Sequence, residues 1–328
     1  MAGERTRLIV VDLDPGQVRS SHPDFFSQSR LFPLLTDVSP WAVLLLLRLF
    51  DVDPQTSFSL MNPELGPPKE DENALNLLKL RRMFIAAKNI TVSAFPPRPG
   101  PSLGLAAILS PDEPELDSFF SQLPDYLSEL VIVWDSRPGR PPDLPASLIV
   151  RQCVRSLDGN FAAQRNQMLS MCESDWVLYL DGDERLSPQT WNALPGIVYS
   201  GAAQGFLFPR RTLYPDENHC KVGYGLWPDL QLRLFRRTAE TRFVRPVHER
   251  LCGIGSPLAV VCRHPIIHLS RLLKKPDRIA EKLRLFDQAG QGGVSHRLSP
   301  EYPRLPLDFF PAPNSRETQL LVLPSFPD

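Results

Sequence analysis

Cysteine is scarce and poorly spaced for structural chemistry. The 328-residue chain holds five, Cys153, Cys172, Cys220, Cys252 and Cys262, an odd number without a CxxC pair. This argues against a disulfide framework or a zinc site and fits a reducing, cytoplasmic setting. Long apolar runs are also missing. The most hydrophobic segment, WAVLLLLRLF (Trp41 to Phe50), has about half the roughly twenty residues a bilayer span needs, and it carries an arginine. It reads as a buried helix, with peripheral attachment at the inner face of a membrane as the alternative. The N-terminus, MAGERTRLIVVDLDPG, has no apolar core ahead of a cleavage site and does not read as a signal peptide. Charge of one sign is missing too. Lys and Arg number 36 against 37 Asp and Glu, for a net charge of −1, so no electrostatic excess marks nucleic acid as a partner.

Proline is what the chain has in excess. Its 35 prolines are about twice the usual share. They gather at Pro96 to Pro101, Pro138 to Pro145 and Pro300 to Pro327, and so mark joints and a tail. These positions suggest an N-terminal α/β unit over 1–95, an extended linker over 96–103, a main domain over 104–288, and a Gly/Pro-rich tail over 289–328. In the first unit, Leu8 to Val11 reads as a strand, and Trp41 to Phe50 and Ala74 to Lys88 as helices. The tail segments Leu305 to Phe310 and Leu320 to Leu323 are apolar enough to pack, but the pattern does not say against what.

The main domain is organised around Ser174 to Ser187, SDWVLYLDGDERLS. Trp176 to Leu180 is an apolar run suited to a strand covered on both faces. It breaks into Asp181, Gly182, Asp183 and Glu184, after which Ser187 and Pro188 have the form of a helix N-cap and first turn. Carboxylates at the carboxyl end of a strand in an open α/β sheet sit where ligands bind, and they suit a hard cation. The competing reading is an acidic loop that only caps the helix.

Around this stretch lie four motifs in order: the helix NFAAQRNQML (Asn160 to Leu169), the DWVLYLDGDE strand end, RLFRR from Arg233, and VHE (Val247 to Glu249). Together they resemble family 2 glycosyltransferases of the GT-A fold, in the bacterial branch related to lipopolysaccharide-core enzymes. The resemblance covers about Gly104 to Gln288. It implies a mostly parallel α/β (Rossmann-like) sheet flanked by helices, a nucleoside-diphosphate sugar donor (a UDP-sugar first of all), and Mg²⁺ or Mn²⁺. It also implies inverting transfer to an acceptor hydroxyl on a carbohydrate, a lipid-linked molecule or a protein.

Residue by residue, the resemblance makes Asp183 a metal ligand, with Asp181 acting directly or through water. Asp135, after the strand Leu130 to Trp134, would take the base or ribose. Arg165 and Arg233 would serve the nucleotide or steady the acidic loop. His268 has two readings, a metal or diphosphate contact and a hydrogen-bonded core residue. Glu249 is the expected general base and His248 its competitor. Lys274, Lys275 and Arg278 would attract phosphates or simply solvate a helix start. The loop after Asp135, SRPGRPPDLP, departs from the small-residue pattern of the family and leaves the base contact open.

Two other enzyme readings fit less well. Val11 to Asp14, VDLD, has the outline of a haloacid-dehalogenase nucleophile loop, but Pro15 and Gly16 follow it and no matching acidic motif comes later. A nucleotidyltransferase would need a Gly-rich basic loop after the first strand of the domain, and Leu109 to Pro114 offers none. A non-catalytic glycan-binding module stands as the remaining alternative.

Overall fold

The computed structural model describes residues 9–13, 34–36, 39–52, 57, 72–94, 100–137, 139, 144, 149–222, 227–246, 249–274, 276–277, 279–280, 284, 304–310, 312–313 and 316–323. Among the described residues, nine strands form the central sheet. They are β1 (Lys88–Ser93), β2 (Leu103–Leu109), β3 (Glu129–Trp134), β4 (Val150–Val154), β5 (Trp176–Asp181), β6 (Gly205–Phe208), β7 (Gln231–Arg236), β8 (Leu258–Val261) and β9 (Glu317–Leu323). Their spatial order is β1-β9-β8-β6-β7-β5-β2-β3-β4. Only β7 and β9 run against the others, so the sheet is mostly parallel, as expected.

Side chains alternate between the two faces of the inner strands, and helices cover both. On one face Leu105, Leu109, Ile132, Leu178 and Leu180 pack with Phe119 and with Trp191, Leu194 and Ile197. On the other, Ala106, Val131, Val133, Val177 and Tyr179 pack with Met168, Leu169, Phe235 and Phe243. The helices are α1 (Pro40–Leu49), α2 (Glu72–Ala86), α3 (Leu116–Ser121), α4 (Phe161–Met171), α5 (Pro188–Tyr199) and α6 (Ser270–Leu273). Ser187 caps α5 as the sequence indicates, its hydroxyl accepting from the Thr190 N–H at 3.1 Å, and Asn160 Oδ1 caps α4 through Ala163 N–H at 2.9 Å. α3 stops at Ser121, although apolar residues continue to Leu127. Pro124 explains this, since the residue before a proline is pushed out of the α region.

α1 is the buried helix read from WAVLLLLRLF. Ser39 caps it, Pro40 opens it, and Val43, Leu44, Leu45 and Leu47 pack with Leu80 and Met83 of α2. The same cluster includes Val260, Cys262, Leu321 and Leu323, so α1 and α2 cover the sheet at β8 and β9. β1 pairs with β9 from Ser93↔Glu317 to Lys88↔Val322. Strands from the first and last parts of the chain therefore lie in one sheet with the main domain. α5 comes close to the end of β1 at Gly196, where a Cβ would stand 1.8 Å from the Ser93 carbonyl oxygen, so only glycine fits. In the polar stretch after Tyr214, His219–Lys221 is a short strand paired with Arg304–Pro306. Most of the stretch 277–288, whose Ile279, Leu283 and Phe286 fall at helical spacing in the sequence, lies outside the described residues. Among the described residues, no helix is long and apolar enough to cross a membrane.

Candidate functional site

The carboxyl ends of β2, β3 and β5 meet at one edge of the sheet, and each delivers an acid there. β2 ends at Leu109 and turns through Ser110 to Pro114, which includes Glu113. β3 is followed at once by Asp135, whose N–H donates to the Leu109 carbonyl at 2.7 Å. Asp135 Oδ1 accepts from the Leu157 N–H at 2.9 Å, and its other oxygen has no hydrogen bond among the described residues. β5 ends at Asp181. Asp135 and the DGDE turn thus share an edge, with β2 between their strands. The turn is tight against Glu113: a Cβ on Gly182 would lie 3.0 Å from Glu113 Cγ and 3.1 Å from Leu109 Cδ2, which explains a glycine between the two aspartates.

Asp181 is gripped by two guanidiniums. Arg165 Nη2 donates to Oδ1 at 3.2 Å and Arg233 Nη2 to Oδ2 at 2.8 Å. Both guanidiniums lie over the Tyr179 ring, at 4.8 and 4.5 Å from its centroid, which offsets part of the cost of burying them. Burial pulls their pKa values down, but the carboxylates beside them, Asp181 for Arg165 and Glu184 then Asp181 for Arg233, more than reverse this and keep both charged.

The chain of ion pairs continues in both directions. Arg165 Nε donates to Glu249 Oε1 at 2.6 Å. On the other side Arg233 Nη2 donates to Glu184 Oε1 at 2.7 Å, Arg210 Nη1 donates to the same oxygen at 3.2 Å, and Arg210 Nε donates to Asp229 at 2.8 Å. Glu184 is fully buried, with its second oxygen accepting from the Asp181 N–H at 3.1 Å. Burial pushes its carboxyl above the usual carboxylate range, with Arg233 opposing, Asp181 adding to the rise, and Arg210 opposing again.

Asp183 belongs to a second cluster. It is buried, and its Oδ2 accepts from Lys274 Nζ at 2.7 Å, while the same ammonium lies 2.8 Å from Glu113 Oε1. His268 Nε2 is 3.6 Å from Asp183 Oδ1, and its Nδ1 meets Thr212 Oγ1 at 2.9 Å. Backbone pairing sets this up. Ile266–His268 lies between Arg210–Thr212 and Glu184–Arg185 in a three-stranded sheet, and the Leu269 N–H donates to the Asp183 carbonyl at 2.8 Å. Burial works to lower the Lys274 pKa, but Asp183 and Glu113 leave it above its ordinary value.

Two carboxylates and an imidazole are donor types that suit Mg²⁺ or Mn²⁺, and in this structure they stand around an ammonium. Even so, no group of three or more His, Cys, Asp or Glu is arranged to hold a metal ion as it stands, among the described residues. Ammonium contacts are longer than the roughly 2.0–2.1 Å of a Mg–oxygen bond, so the donors are spread around Lys274.

The structure therefore brings together seven of the residues singled out from sequence, in two groups: Asp181 with Arg165, Arg233 and Glu249, and Asp183 with His268 and Lys274. Asp135 stands on the same edge. His248, Lys275 and Arg278 lie outside the described residues. Sequence reasoning gave no individual role to Glu113, Glu184 or Arg210. Glu184 carried a signal as an acid directly after the aspartates, whereas the partners of Glu113 and Arg210 come from distant strands and turns.

No protein-family profile matches the chain. A curated relative, a TPR repeat-containing protein of Synechococcus elongatus, is 29% identical over 140 residues, which is 42% of this chain and 32% of that protein. The chain thus spans about a third of the curated relative it matches. Among solved structures it is similar to S. aureus TarS, with TM-score 0.36 and 15% identity over 57% of this chain and 39% of TarS. A complex of TarS residues 1–349 with UDP-GlcNAc is similar with TM-score 0.35 and 14% identity, over 57% of this chain and 66% of that one.

Proposed function

We propose that the chain is an inverting glycosyltransferase of family 2 type, related to the lipopolysaccharide-core branch, that moves a sugar from a UDP-sugar to an acceptor hydroxyl. The observation that carries this reading is the gathering of Asp135, Asp181 and Asp183 at one carboxyl edge of the sheet, with Asp183 already wrapped around a positive charge. Ligands of open α/β sheets bind at that edge. The second oxygen of Asp135 is available to the ribose or the base. Asp183 and His268 would hold Mg²⁺ or Mn²⁺, which when bound offsets charge on the leaving diphosphate. Arg165 and Arg233 keep Asp181 fixed and neutralised beside it.

Glu249 is the base of this proposal. The acceptor oxygen attacks the anomeric carbon on the face opposite the diphosphate, the bond from that carbon to the phosphate oxygen breaks with its electron pair leaving on UDP, and Glu249 takes the acceptor proton. Arg165 bridges Glu249 and Asp181, so the side chain that orients the base also touches the DGDE turn. The acceptor hydroxyl belongs to a carbohydrate, a lipid-linked molecule or a protein.

Incubating the full chain with a panel of sugar nucleotides and Mn²⁺ tests this directly. One donor should raise the melting temperature and release UDP slowly. Glu249→Gln, which can still accept from Arg165, should lower turnover about a hundredfold or more with donor affinity nearly unchanged. If no sugar nucleotide shifts the melting curve or is cleaved, the proposal falls. Normal turnover by Glu249→Gln with a dead His248→Ala would hand the base role to His248.

A further inference from the structure

We propose that Lys274 is a tethered competitor of the divalent cation: its ammonium occupies the cation's place beside Asp183, and the metal binds only by displacing it. The inference rests on the reading that Asp183 is a metal ligand. Lys274 Nζ reaches Asp183 Oδ2 at 2.7 Å and Glu113 Oε1 at 2.8 Å, with His268 Nε2 on the far oxygen of Asp183 at 3.6 Å. A hard divalent ion needs these oxygens about 0.6 Å nearer its centre than an ammonium does. Both cations cannot sit between the same two carboxylates, because their charges repel at that range.

The fit of the ammonium is also imperfect. Glu113 Oε1 is buried and accepts no hydrogen bond of good geometry, although Lys274 Nζ lies 2.8 Å away. A spherical ion with no directional demand satisfies such an oxygen better than an N–H donor does. Glu113 lies over Gly182, where a Cβ would stand 3.0 Å from its Cγ. Lys274 can withdraw. It follows the last residue of α6, its side chain is 21% exposed, and its flexible stem can carry the ammonium out of the cluster.

The test is Mn²⁺ binding to the full chain without any nucleotide, by calorimetry or by the free-ion electron spin resonance signal. Lys274→Met should bind Mn²⁺ at least tenfold tighter than the wild type, melt at a lower temperature without metal, and gain more from added Mn²⁺. Lys274→Arg, which keeps the charge, should bind no tighter than wild type. Equal or weaker binding by Lys274→Met, or no Mn²⁺ binding by either protein, overturns the proposal. If Lys274→Met does not fold, the wild type still decides. Acetylation of Lys274 by an amine-reactive ester, read by mass spectrometry, should rise severalfold when saturating Mg²⁺ is added, and an unchanged or lower yield overturns it. A chain that binds Mn²⁺ as stated but no sugar nucleotide would keep this inference while ending the transferase reading.

Discussion

Glu184→Gln is the substitution the ionic chain makes most consequential, although Glu184 contacts neither of the proposed ligands. Its Oε1 receives Arg233 Nη2 at 2.7 Å and Arg210 Nη1 at 3.2 Å, while Oε2 receives the Asp181 N–H at 3.1 Å. All three are donors, so a carboxylate suits the position and a carboxamide does not. If the amide oxygen faces the guanidiniums, the amide NH₂ confronts the Asp181 N–H. If it is flipped, the NH₂ confronts both arginines. Either orientation sets donor against donor in a site with no exposed surface. It also leaves Arg233 and Arg210 sharing one fewer counter-charge. Breaking one partner out of a buried ion pair typically costs about 3–5 kcal/mol, and that is the loss expected here. Urea unfolding of the full chain, followed by far-UV circular dichroism, measures it. Asp216→Asn serves as a control, because its partner His219 is a surface contact whose removal should leave the midpoint unmoved. A Glu184→Gln protein within about 1 kcal/mol of wild type would refute the account of this network.

Three further outcomes follow from the same contacts. Asp183→Asn keeps the shape but removes the charge that Lys274 now shares, so metal-dependent donor binding should vanish while unfolding stays cooperative; full turnover of this variant in EDTA would contradict it. His264 sits buried between Thr190 and Thr318, and burial pushes its pKa down to about 4. From about pH 6.5 to 4 the unfolded chain therefore takes up a proton that the folded one refuses. Stability should fall as pH drops through that window, and His264→Gln should flatten the decline in urea midpoints; parallel curves would refute it. Deleting residues 1–95 removes α1, α2 and β1 and uncovers Val260, Cys262, Leu321 and Leu323, so the truncated chain should aggregate or bind a hydrophobic dye; a soluble, cooperative fragment would show that this cover is dispensable.

What could be read from sequence, and what could not, divides along the range of the interactions. β5 and its turn were legible because a run of strand formers ends in four polar residues and a capping serine, all within a dozen positions. α4 was legible in the same way, and the family resemblance already set Arg165 near the nucleotide or the acidic loop, where it meets Asp181. Its second partner was not legible, because Glu249 lies 84 residues further on. Glu184 is one acid among several until the fold brings Arg210 and Arg233 to it from 26 and 49 residues away. The tail shows the same limit. Leu320 to Leu323 announced an apolar run, yet such a run carries no address, and the partner strand β1 lies far back beyond the proline cluster.

Distance in sequence also determines how a perturbation travels through the site. The alternating chain from Glu249 through Arg165, Asp181, Arg233, Glu184 and Arg210 to Asp229 links the loop carrying the proposed base to the loop before β7. Each carboxylate between its ends is shared by two guanidiniums, so no link can shift without leaving a buried charge short of a partner. Asp181 lies inside that chain and Asp183 outside it, on Lys274. One aspartate of the DGD turn is thereby fixed between two guanidiniums, and the other meets the ammonium of a flexible lysine at its Oδ2. Of the two, Asp183 is the one beside a cationic side chain that can withdraw, which is what a ligand that arrives and leaves with each turnover requires.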